Sequence, residues 1–326
     1  MVDTVEIRGV PHVYELTPPT SLGVVLVFVH GWLLSREYWQ PVIEQLSPVY
    51  QCLSYDLRGF GESQCRSLPT PSAKATYSLK AQPSTALLDR TVESSAEPTT
   101  VVLDRSDDYR PIAYARDLLQ LLQALNITNA WLIGHSLGGS IALWAADQQP
   151  SHIRGVICIN SGGGIYLKEE FERFRSVGQQ LVKLRPRWLC YMPLVDLMMT
   201  RMNVAHPIAR RWGRKRLLDL VAADPGAALG TLLDSTTEAE VHRLPQVISR
   251  LEQPVHFIAG SKDDIMEPQY VSHLASFHPL FRSCGDNVVQ IPDCGHLAMV
   301  EQPNTVAQQI QRIITHNQPS SKLTAE

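Results

Sequence analysis

The strongest constraint on this chain is a repeated alternation of short apolar runs with longer helical patterns. Val24–His30 is an unbroken β-branched and aromatic run, as expected of a strand buried on both faces of a parallel sheet. Glu37–Leu46 follows with Trp39, Val42, Ile43 and Leu46 at helical spacing, and Tyr50–Asp56 reads as a second strand. The pattern continues through a helix over Ala113–Leu125, a strand over Ala130–Gly134, a helix over Leu137–Gln149 and a strand over Gly155–Asn160. It resumes with the strand Val255–Gly260, the helix Pro268–Phe277, the strand Asn287–Ile291 and the helix Pro303–Thr315. The first sixteen residues alternate like strands around a turn at Gly9-Val10-Pro11. Alternation of this kind predicts an α/β fold with a mostly parallel sheet.

Composition narrows the function classes. Of 326 residues 44% are apolar and 19% charged, with a net charge of −3. That balance argues against a globally basic nucleic-acid binder. The longest apolar run, Val24 to Val29, has six residues, far below the roughly 18 a membrane span needs. The N-terminal MVDTVEIRGVPHVYEL lacks a basic start, an apolar core and a small-residue cleavage site. Six cysteines, at 52, 65, 158, 190, 284 and 294, form no C-x-x-C pair. Cys52 and Cys158 sit in strand-like runs, so buried reduced thiols and a cytoplasmic protein are expected.

Two stretches interrupt the alternation. Residues 64–110 are rich in Ser, Thr, Pro and Ala, the composition of a disordered insertion. Because this segment follows a strand, it leaves the carboxyl edge of the sheet, where a lid over a pocket would also arise. The second interruption is helical in composition. Its portion from 168 to 216 holds twelve basic and four acidic residues, a local charge of +8 in a chain of net −3. The expected division is therefore a first core part over 1–161, a helical module over 162–250, a second core part over 251–318 and a tail over 319–326. Gly162-Gly163-Gly164 is the expected hinge into the module.

Chemistry concentrates at strand ends. Gly134-His135-Ser136-Leu137-Gly138 has the pattern G-x-S-x-G, ending one strand and opening a helix. Glycines flank the serine because a β-carbon there would strike the neighbouring strand or helix. The turn lifts the Ser136 hydroxyl above the sheet edge, at a helix N-terminus that favours developing negative charge. Such a serine needs a base, and His296 follows the strand Asn287–Ile291. An orienting carboxylate is expected after Val255–Gly260, where Gly260-Ser261-Lys262-Asp263-Asp264 offers two; the G-x-x-D spacing favours Asp263 over Asp264. The chain order Ser136, Asp263, His296 is one that triad geometry allows. The backbone N–H groups of Trp32, after His30-Gly31, and of Leu137 are the expected oxyanion donors. His30 is expected to brace that loop. The remaining histidines show no metal-ligand spacing, and no phosphate-binding glycine loop occurs, so neither metal nor cofactor is expected.

With these residues in view, the chain resembles the capped branch of the α/β-hydrolase superfamily. The resemblance rests on His30-Gly31-Trp32, Asp56-Leu57-Arg58-Gly59-Phe60-Gly61-Glu62-Ser63, Gly134–Gly139, Gly260–Asp263 and Gly295-His296. It implies an eight-stranded, mostly parallel sheet flanked by helices, with a helical cap inserted after the sixth strand and no cofactor. The length of 64–110 departs from the usual pattern. The resemblance also implies cleavage of a carboxylic ester or related acyl bond of an apolar small molecule or lipid through an acyl-enzyme. Thioesterase, carbon–carbon hydrolase and lyase chemistry share the same triad, and a ligand-binding member of the fold is the non-catalytic alternative. Expected pocket residues are Leu33, Met266 and Leu297 beside the catalytic positions, and Met192, Met198 and Met199 from the cap. The basic cap has three readings: a solvated face, docking to anionic lipid headgroups, or an anionic substrate or partner. No nucleic acid is expected, and oligomeric state does not follow from these residues.

Overall fold

Along β3 (Val25–Val29) the side chains of Val25, Val27 and Val29 join one buried cluster and those of Leu26 and Phe28 another. A strand with both faces covered needs this two-sided apolarity. A computed structural model describes residues 2–64, 108–162, 168–284 and 287–317. Among them β1 (Val2–Ile7), β2 (Val10–Leu16), β3, β4 (Gln51–Tyr55), β5 (Ala130–His135), β6 (Ile153–Ile159), β7 (Val255–Gly260) and β8 (Val288–Ile291) form one sheet. The strand order is β1-β2-β4-β3-β5-β6-β7-β8. Only the β1–β2 and β2–β4 pairs are antiparallel. The expected mostly parallel, eight-stranded α/β architecture is present.

The first turn differs from expectation. It lies at Arg8 and Gly9, with φ of 53° and 76°, while Val10 and Pro11 already pair with Ile7 and Glu6. A two-residue hairpin of this twist needs positive φ at both central residues, which proline cannot adopt.

Helices α1 (Gln40–Leu46), α2 (Pro111–Ala124) and α3 (Leu137–Gln148) connect the first strands. Between β6 and β7 lie α4 (Lys168–Lys183), α5 (Val195–Met199), α6 (Arg210–Ala222), α7 (Pro225–Ser235) and α8 (Glu238–Arg250). The chain ends with α9 (Pro268–Ala275), α10 (Pro279–Cys284), α11 (Ala298–Glu301) and α12 (Pro303–His316). Helices α2, α3, α8 and α9 cover one sheet face, burying Leu118, Leu121, Leu143 and Leu274. Helices α1 and α12 cover the other, burying Val42, Leu46, Ile310 and Ile314. Burial on this scale, at roughly 25 cal/mol per Å² of apolar area, needs no disulfide. Cys52, Cys158, Cys190 and Cys294 are buried free thiols. Residues 65–107, Gly163 and Gly164 of the expected hinge, and the 319–326 tail lie outside the described residues.

The helical segment meets the core through specific joints. The Trp32 indole Nε1–H donates to the Ala228 carbonyl at 2.8 Å, and Ser35 Oγ donates to Asp219 at 3.0 Å. Lys215 pairs with Glu37 at 2.6 Å. Gly59, at φ 84°, lies where any β-carbon would collide with Ala227.

Candidate active site

Five chain segments converge at the carboxyl end of β3, β5, β6, β7 and β8. Ser136 stands between β5 and α3 with φ 52° and ψ −120°. A non-glycine residue held at positive φ costs of order 1–3 kcal/mol and needs surroundings that enforce it. The surroundings here leave no slack. A β-carbon on Gly134 would strike the Gly138 backbone, and one on Gly138 would strike the Val29 and His30 carbonyls. The Ser136 N–H is fixed by the Ile159 carbonyl at 3.0 Å. Among the described residues, neither the Trp32 nor the Leu137 backbone N–H has a hydrogen-bond acceptor, so both remain available to a ligand oxygen.

Asp263 and His296 meet across the edge. His296 Nδ1 lies 2.8 Å from Asp263 Oδ2, and the carboxylate's other oxygen accepts from the Ile265 and Met266 N–H groups, each at 2.9 Å. Asp264 is exposed. Of the two candidate carboxylates, Asp263 is therefore the one that meets His296. With Nδ1 turned to Asp263, the other ring nitrogen of His296, Nε2, has no hydrogen-bond partner among the described residues.

The loop carrying His296 is held from three sides, by residues that sequence reasoning missed. Asn160, at φ 47° after β6, donates through Nδ2 to the carbonyls of Gly295 (2.9 Å) and His296 (2.7 Å), while its Oδ1 accepts from the Gly260 N–H at 2.7 Å. His135 Nε2 donates to the His296 carbonyl at 2.8 Å. Burial and the neighbouring His296 hold the His135 imidazole well below its usual range, so it stays neutral. From the helical segment, the Asn203 carbonyl accepts the His296 N–H at 2.8 Å. Asn160 was detectable in principle as a polar residue ending an apolar strand; Asn203 carries no such signal. His30 braces its loop, donating from Nδ1 to the Gly31 carbonyl at 2.8 Å and accepting the Leu57 N–H at 2.9 Å. Complete burial lowers its pKa to about 4. The Asp56–Ser63 turn is equally structural: Asp56 accepts the Arg36 N–H at 2.7 Å and the Glu62 N–H at 2.9 Å.

Ser136 and His296 open into a cavity of about 300 Å³. Its core side is Trp32, Leu33, Leu34, Ile265 and Leu297, and its outer side is Phe174, Val177, Leu181, Met199, Met202 and Leu220. Leu33, Met199 and Leu297 therefore lie where the sequence suggested. Met192 and Met198 do not: they are 44% and 56% exposed. Neighbours on a helix point about 100° apart, so burying Met199 turns Met198 outward, while Cys190 takes the inward place beside Met192. Met266 also stays outside, its sulfur packed where a β-carbon on Gly162 would go, and Ile265 fills its expected place.

Among the described residues, one guanidinium borders this apolar space. Arg216 donates from Nη1 to the Met199 and Met202 carbonyls at 2.6 and 2.7 Å and reaches Asn203 Oδ1 at 3.4 Å. All three partners are neutral, and burial lowers the guanidinium pKa without discharging a group this basic. Lys215 beside it has two carboxylates, Glu37 and Asp219.

Comparison with known proteins identifies the family. Over 302 residues, 89% of this chain and 91% of the other, the sequence is 26% identical to 2-succinyl-6-hydroxy-2,4-cyclohexadiene-1-carboxylate synthase of Enterobacter sp. (strain 638). The fold superposes on a malate-bound esterase from Thermogutta terrifontis with a TM-score of 0.66 at 22% identity, covering 98% of each chain. It also superposes on bromoperoxidase from Bacillus anthracis with a TM-score of 0.71 at 17% identity, covering 97% of this chain and 100% of that one. Residues 24–196 match the family model of the alpha/beta hydrolase fold, and the chain belongs to that family.

Proposed function

We propose that the protein is a serine hydrolase that cleaves carboxylic ester or related acyl bonds through an acyl-enzyme. The observation that carries this is the Asp263–His296 pair at 2.8 Å, opening with Ser136 into one apolar cavity. Ser136 Oγ attacks the substrate carbonyl as His296 Nε2 takes its proton, and Asp263 holds the imidazolium that results. The oxyanion settles on the Trp32 and Leu137 N–H groups, each such donor supplying roughly 3–4 kcal/mol to the transition state. Collapse expels the leaving group, which receives the His296 proton. Water then attacks the acyl-enzyme, giving its proton to His296, and the acid departs as Ser136 is restored.

Arg216 favours a second reading. A guanidinium among neutral partners at an apolar wall suits a substrate that carries a carboxylate. The Enterobacter relative acts, by its name, in making a carboxylate-bearing ring compound. Elimination or carbon–carbon cleavage on such a compound would use the same Ser136, His296 and Asp263.

One panel tests both. p-Nitrophenyl esters from acetyl to palmitoyl, with one whose acyl chain ends in a carboxylate, are given to wild type and Ser136→Ala. Turnover by wild type and its loss in the variant are expected, together with wild-type labelling of Ser136 by a fluorophosphonate. Preference for the carboxylate-bearing ester would support the second reading. Full turnover by Ser136→Ala would end the proposal, and neither turnover nor labelling would point to a ligand-binding protein.

A further inference from the structure

The methionines absent from the cavity belong to an unusual surface. Twelve large apolar side chains are exposed among the described residues, and seven fall in the short stretch from Leu184 to Met198. Leu184 is 74% exposed, Trp188 59%, Tyr191 84% and Leu194 65%. Scattered exposed apolar residues are ordinary, whereas a concentration of this kind marks a surface that is covered in use. Inward-turned Cys190 and Met199 anchor the stretch, and its outer side is left exposed by the other described residues.

Charge identifies the occupant. Lys183, Arg187, Arg201 and Arg211 are exposed in and around the same stretch, and among the described residues none has a carboxylate partner. Asp196 is the one acidic residue between 173 and 218, and it is committed to Arg210 at 2.7 Å. A two-fold pairing of this surface with itself would bring like charges together. Tryptophan and tyrosine amid aliphatic residues, bordered by lysine and arginine that keep their charges in water, suit the headgroup region of a bilayer. Among the described residues no helix is long and apolar enough to cross a membrane, so contact would be confined to the interface. The surface also adjoins the cavity. Val177 lines the cavity and is 58% exposed, and exposed Met198 precedes cavity-lining Met199.

We infer that the outer surface around Leu184–Met198 docks on an anionic lipid bilayer, seating Trp188 and Tyr191 among the headgroups and turning the cavity mouth toward the lipid. This does not depend on the chemistry of Ser136. Flotation of the full chain with phosphatidylcholine vesicles, and with vesicles that also contain phosphatidylserine, tests it. Binding to the anionic vesicles and little to the neutral ones is expected. Lys183→Gln and Arg187→Gln should each weaken partition about fivefold, and Trp188→Ser with Tyr191→Ser should abolish it, while thermal melting stays unchanged. These four side chains are exposed, so the variants keep the fold. Failure to float with either vesicle would overturn the inference. So would equal binding to both, or a vesicle-free dimer that the Trp188→Ser/Tyr191→Ser variant dissolves.

Discussion

Asp263 and Asp264 carry the same side chain at adjacent positions and have opposite surroundings. Asp263 accepts two backbone N–H groups and the His296 ring, whereas Asp264 faces solvent. Asp263→Asn should therefore lower kcat by about 10⁴-fold, because an amide presents the wrong partner to Nδ1–H and misorients the ring. Asp264→Asn should leave turnover within about twofold, a surface change of under about 0.5 kcal/mol. Steady-state kinetics of the two variants checks this, and equal losses would remove Asp263 from its role. The difference is partly legible in the sequence, because G-x-x-D spacing after an apolar strand favours one carboxylate. Ser136, Asp263 and His296 can be read there because each lies in a turn just after such a strand. Arg216 cannot, since it sits in the run Arg214-Lys215-Arg216. Only the packing of α6 shows that its neighbour reaches carboxylates while Arg216 borders the cavity.

At the level of elements, the sheet is legible strand by strand, whereas the segment between β6 and β7 is legible as helical but not in which faces turn inward. A strand buried on both faces is apolar along nearly its whole length, and such a run survives in any context. The outer helices have no comparable rule: which methionine turns inward depends on the short turn before α5. The joint between α6 and the core is likewise a product of packing. Asp219, 5% exposed, lies against Lys215 at 3.1 Å and Ser35 at 3.0 Å. Burial outweighs these partners and raises its carboxyl from 3.8 to about 6. A carboxyl with a raised folded-state pKa contributes stability below its unfolded value and loses it as pH climbs through the folded one. Wild type should therefore lose stability relative to Asp219→Asn between pH 4 and 6, by up to about 3 kcal/mol. Urea unfolding of both proteins across that window measures it. A constant difference would mean that Lys215 fully compensates the buried charge.

For the molecule as a whole, net charge conceals polarity. The segment from 168 to 216 carries +8 while the chain totals −3, so the remainder carries −11. A body this asymmetric has an orienting field even though its total charge is small, and an anionic surface would attract the cavity side and repel the rest. Such steering acts between exposed charges and fades as salt shortens the Debye length from about 14 Å at 0.05 M to about 4 Å at 0.5 M. A short ester free in solution has no net charge for this field to act on. Raising NaCl over that range should therefore leave turnover of p-nitrophenyl acetate nearly constant. Turnover of a long-chain ester presented in phosphatidylserine-containing vesicles should fall several-fold over the same range. The comparison uses one enzyme and two presentations, so a general salt effect on catalysis would appear in both and cancel. If the vesicle-borne ester proved as insensitive as the soluble one, the positive segment would be a solvated face, and the apolar residues alone would govern any approach to lipid.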